Sequence, residues 1–211
     1  MCAYSEQTIS AVRLVDGVVV WTHTLDAPIG DRPTPVDGHL YVGDIAGDSP
    51  PAVTPGLPDT YALDTRTGAV LWRAPTGIVS GSSVVAADRL VYIGAEHALD
   101  AIDAATGAIR WQVHVAPDSS VQSTPVVSAG LVHFVGDGAY AVDAATGAVR
   151  WHNALGWNRS NAFAGPALRE GTLYLSGVDG GGQGTLYALD ATSGRVRWQR
   201  SGFNSLTPPA V

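Results

Sequence analysis

Apolar residues in this 211-residue chain fall in short alternating runs cut by Gly, Pro or Asp, and no helical period is found anywhere. Runs of four to six residues rich in Val, Ile and Tyr predict β-strands. They come in pairs. Thr34 to Val36 precedes His39 to Val42, Ser83 to Val85 precedes Leu90 to Ile93, Thr124 to Val127 precedes Leu131 to Val135, and Gly165 to Leu168 precedes Leu173 to Leu175. A turn separates the members of each pair, so each predicts a hairpin.

Two further runs follow every pair, joined by one recurring phrase. It reads Ala-Leu-Asp-Thr-Arg-Thr-Gly-Ala-Val-Leu-Trp from Ala62 to Trp72 and returns at Ala101 to Trp111, Ala141 to Trp151 and Ala188 to Trp198. Ala11 to Trp21 is a worn copy that keeps Ala11, Gly17, Val19 and Trp21, with Arg13 in the Asp place and Asp16 in the Thr place. The five tryptophans stand 51, 39, 40 and 47 residues apart, a period expected of propeller blades.

Each part of the phrase has a physical task. Asp64, Asp103, Asp143 and Asp190 are expected to accept backbone N–H groups within a hairpin turn, and their return in every blade marks them as turn residues rather than acid–base groups. Gly68, Gly107, Gly147 and Gly194 supply a positive φ there. Trp21, Trp72, Trp111, Trp151 and Trp198 are expected to bury against the neighbouring blade while the indole N–H finds a polar partner.

The Ala-x-Asp-x-x-Thr-Gly-x-x-x-Trp phrase resembles the tryptophan-docking repeat of pyrroloquinoline quinone (PQQ) type propellers. That repeat is shared by bacterial quinoprotein dehydrogenases, the outer-membrane assembly lipoprotein BamB and sensor domains of some bacterial Ser/Thr kinases. The likeness runs over essentially the whole chain and implies an all-β propeller of four-stranded antiparallel blades, here one domain over residues 1–211. It implies enzymes and inert scaffolds alike. The dehydrogenases use a vicinal Cys pair, a Glu/Asn/Asp calcium set and a catalytic Asp, none of which maps onto a position here.

Five blades are expected, closed by a clasp of one strand plus three. Met1 to Tyr4, Thr8 to Leu14 and Val18 to Thr24 read as strands two to four of a blade, and Leu206 to Val211 matches the first strands at Thr34 and Thr124. A piece of a seven- or eight-bladed ring is the alternative.

Net charge −7 argues against nucleic acid, and no run of about 18 apolar residues is present to span a membrane. Cys2 is the only cysteine and reads as an ordinary strand residue. The six histidines are scattered without a paired-ligand pattern, so no metal site is expected, and His133 reads as a packing residue. The opening residues lack the charged and apolar regions of a secretory signal. The resemblance implies an extracytoplasmic setting, periplasmic or cell-surface. Compartment and oligomeric state stay open.

Antiparallel order places the turns between strands two and three on one face together with the links between blades. Both long insertions, Gly43 to Thr60 and Ser176 to Thr185, fall there, so this long-loop face is the candidate binding surface. Around its axial mouth stand Arg32, Ser80, Gln122, Asn161 or Phe163, and Ser205, which either bind an anion or peptide or satisfy loop backbones. Trp157 and Arg159 are rim residues, either packed on a loop or forming an anchor for a partner. The expected function is a non-catalytic interaction or ligand-sensing module whose partner is another protein or a small polar ligand, without cofactor. A truncated quinoprotein requiring PQQ and calcium is the competing reading.

Overall fold

The computed structural model describes residues 1–30, 32–44, 59–77, 82–95, 97–156, 164–178 and 183–203, and every regular element in them is a strand. The first sheet holds β1 (Cys2–Ser5), β2 (Thr8–Val12) and β3 (Val19–Thr24). The second comprises β4 (Thr34–Val36), β5 (His39–Gly43), β6 (Asp59–Asp64) and β7 (Val70–Pro75). The third comprises β8 (Val85–Ala87), β9 (Leu90–Gly94), β10 (Ala98–Asp103) and β11 (Ile109–His114). The fourth is built from β12 (Val126–Ser128), β13 (Leu131–Val135), β14 (Ala139–Asp143) and β15 (Val149–Asn153). The fifth is built from β16 (Ala164–Arg169), β17 (Thr172–Val178), β18 (Gly184–Asp190) and β19 (Val196–Phe203). Each sheet is an antiparallel meander, the blade of a propeller.

The first strands sit slightly later than the apolar runs suggest. Pairing starts at the residue beside the turn, Ala87 with Leu90 and Ser128 with Leu131, so Ser83, Val84, Thr124 and Pro125 precede the strands. These hairpins turn over two residues that both have positive φ: Asp37 and Gly38, Asp88 and Arg89, Ala129 and Gly130, Glu170 and Gly171. Such turns match the twist of the flanking strands. The Ser176 to Thr185 insertion is smaller than expected, because Ser176 pairs with Leu186, Gly177 with Thr185 and Val178 with Gly184 as extensions of the strands.

The recurring phrase builds one unit five times. The Ala of each copy lies opposite its Trp, as in Ala62 with Trp72 and Ala188 with Trp198, and the register shifts at the next residue. That bulge re-aims the indole out of the sheet, and the small Ala leaves it space. In the turn, Asp103 Oδ1 accepts the N–H groups of Ala105 (3.1 Å) and Thr106 (3.0 Å) and the Thr106 hydroxyl (2.9 Å). Asp64, Asp143 and Asp190 accept from the corresponding groups. Arg110, Arg150 and Arg197 pair with the second oxygen of their own turn Asp, each at 2.7 Å. The worn first copy exchanges the charges: Arg13 pairs with Asp16, whose carboxylate accepts the Val18 N–H.

Tryptophans join successive sheets. Trp21 Nε1 donates to the Thr65 carbonyl (3.0 Å), Trp72 to Ala104 (2.8 Å), Trp111 to Ala144 (3.1 Å) and Trp151 to Ala191 (3.0 Å). Tyr92 adds its hydroxyl to the Ala144 carbonyl (3.1 Å), and His133 adds Nε2 to that of Ala191 (2.9 Å). His133 is thus buried as a packing residue, its Nε2 carrying the proton. Among the described residues four apolar clusters fill the seams between successive sheets, the first combining Ile9 and Leu25 with Leu40, Val42, Tyr61 and Leu63, and half-buried Cys2 packs against it. Leu206 to Val211, the expected fifth first strand, lies outside the described residues.

Candidate functional site

Of the mouth residues, Arg32 and Gln122 are described, and both are exposed on the links that enter β4 and β12. Ser80, Asn161, Phe163, Ser205, Trp157 and Arg159 lie outside the described residues. Next to Gln122 along the chain, Ser123 and Thr124 join a set of hydrogen bonds that the sequence reading did not single out. Ser82 Oγ accepts the Gly94 N–H (2.9 Å) and donates to the Ser123 carbonyl (3.3 Å), while the Ser83 N–H donates to Thr124 Oγ1 (3.1 Å). Gly94 admits nothing larger, since a Cβ there would meet the Val121 carbonyl at 2.1 Å. The segments that lead into the first strands of the third and fourth blades are tied together at this point.

A second polar row occupies the middle of the third and fourth strands. The residue before each phrase Ala pairs with the residue after its Trp: Tyr61 with Arg73, Asp100 with Gln112, Tyr140 with His152 and Tyr187 with Gln199. In the second blade, Arg73 bridges Asp59 and Asp26 and lies over the Tyr61 ring at 5.3 Å. Asp44 Oδ1 accepts the Asp59 N–H (2.6 Å) and the Asp59 carbonyl accepts the Asp44 N–H (2.9 Å), closing the stem from which residues 45–58 emerge. Burial raises the Asp44 carboxyl above its usual range, and burial with the nearby Asp44 charge pushes Tyr61 up to about 12.

The fourth blade has a smaller version. Tyr140 donates to Asp137 Oδ1 (2.7 Å) and stacks between Phe134 (4.7 Å) and His152 (4.1 Å). Burial and the Asp137 carboxylate drive the phenol upward. In the third blade, Asp100 stands where its counterparts are tyrosines. It is fully buried, Oδ1 accepts from Gln112 Nε2 (3.0 Å), Oδ2 has no partner among the described residues, and burial lifts the carboxyl to about 6. The sequence signal for this row was the Tyr-Ala pair before the turn in three of the five copies, replaced by Ser10 in the first and by Asp100 in the third.

The opposite end of the sheets carries the tight turns and, between the second and third blades, a cavity of about 260 Å³. Asp37, His39, Tyr41, Asp88 and Arg89 line it, with the His39 and Tyr41 rings stacked at 5.8 Å. Sequence reasoning overlooked this cavity because its residues come from two hairpins about fifty positions apart. Recognition by hydrogen bonds and charge is what these groups offer. Among the described residues no group of three or more His, Cys, Asp or Glu is disposed to hold a metal ion.

Residues 59–201 match the family model described as outer membrane protein assembly factor BamB. The chain belongs to that family. Among solved structures, BamB from Moraxella catarrhalis superposes with a TM-score of 0.56 at 18% identity, over 98% of this chain and 71% of that one. Quinohemoprotein alcohol dehydrogenase from Comamonas testosteroni superposes at 0.61 and 20% identity, over 80% of this chain and 34% of the enzyme. At such identities the likeness is one of fold. The serine/threonine-protein kinase AfsK of Streptomyces griseus is 34% identical over 144 residues, 65% of this chain and 13% of the kinase. The chain therefore spans about an eighth of that relative's length. The single cysteine cannot form the vicinal Cys pair that a resemblance to quinoproteins calls for.

Proposed function

We propose that this chain is a non-catalytic propeller that binds another protein through its long-loop face, in an extracytoplasmic setting. The supporting observation is the inequality of its two ends. One end is finished by two-residue hairpins and bonded Asp turns, whereas the other carries the insertion after Gly43, its stem held by Asp44, Asp59 and Arg73. Rigid stems under variable loops are how scaffolds present binding residues. The family match supports a protein partner, since BamB is an assembly factor by description. Arg32, Ser80, Gln122, Asn161 and Ser205 at the mouth, with Trp157 and Arg159 on the rim, are the residues assigned to contact.

Crosslinking capture with paired variants tests this. Trp157→Ala with Arg159→Ala, and Arg32→Ala with Gln122→Ala, are expected to lose the captured protein, while Arg89→Ala on the opposite end keeps it. Equal capture by all three, with unchanged circular dichroism, defeats the assignment.

A further inference from the structure

The cavity between the second and third blades is lined by residues that the other seams do not repeat. His39 begins β5 where Leu90 and Leu131 begin β9 and β13, and Arg89 stands in its hairpin where Gly38, Gly130 and Gly171 stand in theirs. At the next seam Leu90 packs on the apolar cluster and the Tyr92 hydroxyl donates to the Ala144 carbonyl (3.1 Å). Tyr41 holds the register of Tyr92, yet it stacks on His39 and its hydroxyl has no hydrogen-bond partner among the described residues. The Ala104 carbonyl takes the Trp72 indole N–H instead.

Arg89 supplies a second observation. Its φ of +67° is strained for an L-residue and easy for glycine. Strain of this kind persists where the side chain has a function. Asp37, Asp88 and Arg89 are exposed, and none of their side chains enters a hydrogen bond or ion pair among the described residues. Asp103, which also lines the cavity, is already engaged by its own turn and by Arg110 (2.7 Å). Two carboxylates and one guanidinium therefore line the cavity with their charges unspent, beside an apolar wall of Val36, Ala86 and Leu90. Burial and the Asp37 charge raise the pKa of the Tyr41 phenol, which stays a donor at neutral pH.

We propose that this cavity binds a free α-amino acid with an apolar side chain. Its carboxylate pairs with the Arg89 guanidinium, whose planar fork suits that group. Its ammonium lies by Asp37 and Asp88, and its side chain rests on the apolar wall. A lone anion would meet two carboxylates and a lone cation would meet the guanidinium, whereas a zwitterion complements both signs. The volume of about 260 Å³ lies just below the range of about 300 to 1,000 Å³ that drug-sized ligands occupy, which suits a molecule this small. The site stands at the end of the propeller away from the long-loop face, so it holds or fails independently of protein binding there.

Amide chemical-shift titration by NMR tests the site, with L-leucine and L-phenylalanine each taken to about 10 mM. Saturable shifts centred on residues 37–41 and 86–90 are expected for at least one of them, with a Kd of about 1 mM or tighter. Isocaproate and hydrocinnamate keep only the carboxylate of these two amino acids, and isoamylamine and phenethylamine keep only the amine. Each should bind about tenfold or more weakly than its parent. Arg89→Gly relieves the turn and so keeps the fold, and Asp37→Asn places a residue that tolerates positive φ at φ +46°. Both should weaken binding of the amino acid about tenfold or more. No saturable shift from either amino acid, shifts centred elsewhere, analogues of one charge that bind as tightly as the amino acid, or undiminished binding by either variant overturns the proposal.

Discussion

Trp72 lies against Gly107 so tightly that a methyl group on that glycine would come within 2.9 Å of the indole. Gly107 also has φ +74°, so Gly107→Ala brings both a backbone penalty and a clash. Its cost should be about 3 kcal/mol in urea unfolding. Gly38→Ala, at φ +81° with open space around it, separates the two effects and should cost about 1 kcal/mol.

Trp72→Ala removes an indole buried between two sheets and the hydrogen bond to Ala104. A loss of about 3 to 5 kcal/mol is expected, with reduced amide protection on both flanking blades by hydrogen exchange. Trp198→Ala, at a ring that is 39% exposed, should cost about 1 kcal/mol or less.

Arg89 holds φ +67° at the turn position that Gly38, Gly130 and Gly171 fill in the other blades. An L-residue in this region carries strain of about 1 kcal/mol that glycine escapes. Arg89→Gly should therefore raise the denaturation midpoint by a corresponding amount, with the slope of the transition unchanged.

Two buried groups pull stability in opposite directions with pH. Burial lowers the His133 pKa beneath 6.5, so the folded state binds fewer protons and stability falls as pH drops below 6.5. His133→Tyr, the residue at the matching positions 41, 92 and 174, should keep a donor to Ala191 and abolish that loss. Asp100 behaves in the reverse sense. Its carboxyl at about 6 lies above the ordinary 3.8, so the folded state binds more protons and stability rises as pH falls from 6 towards 4. Asp100→Asn should stabilise the protein by about 2 kcal/mol at pH 8 and by little at pH 4, measured by thermal melts at both.

Much of the fold was legible because the phrase states its own geometry. Asp and Gly at fixed offsets name a turn, Trp names a docking surface, and the Ala opposite Trp records the space an indole needs. Gly cannot mark a turn such as Asp88-Arg89, and pairing beside that turn moved β8 two residues beyond its apolar run. The candidate site was less legible. A loop face follows from strand order alone, but the Arg73 to Asp26 pairing joins positions 47 apart and depends on how two sheets meet.

Asp44 and Asp59, which flank residues 45–58, are stapled to each other by two hydrogen bonds. Closing a longer excursion between anchored ends costs little more than closing a short one. Foreign peptides could thus be grafted between these two aspartates, and natural variation in length or chemistry absorbed there, without retuning the sheet below. The second blade is the place where new specificity is most easily written into this scaffold.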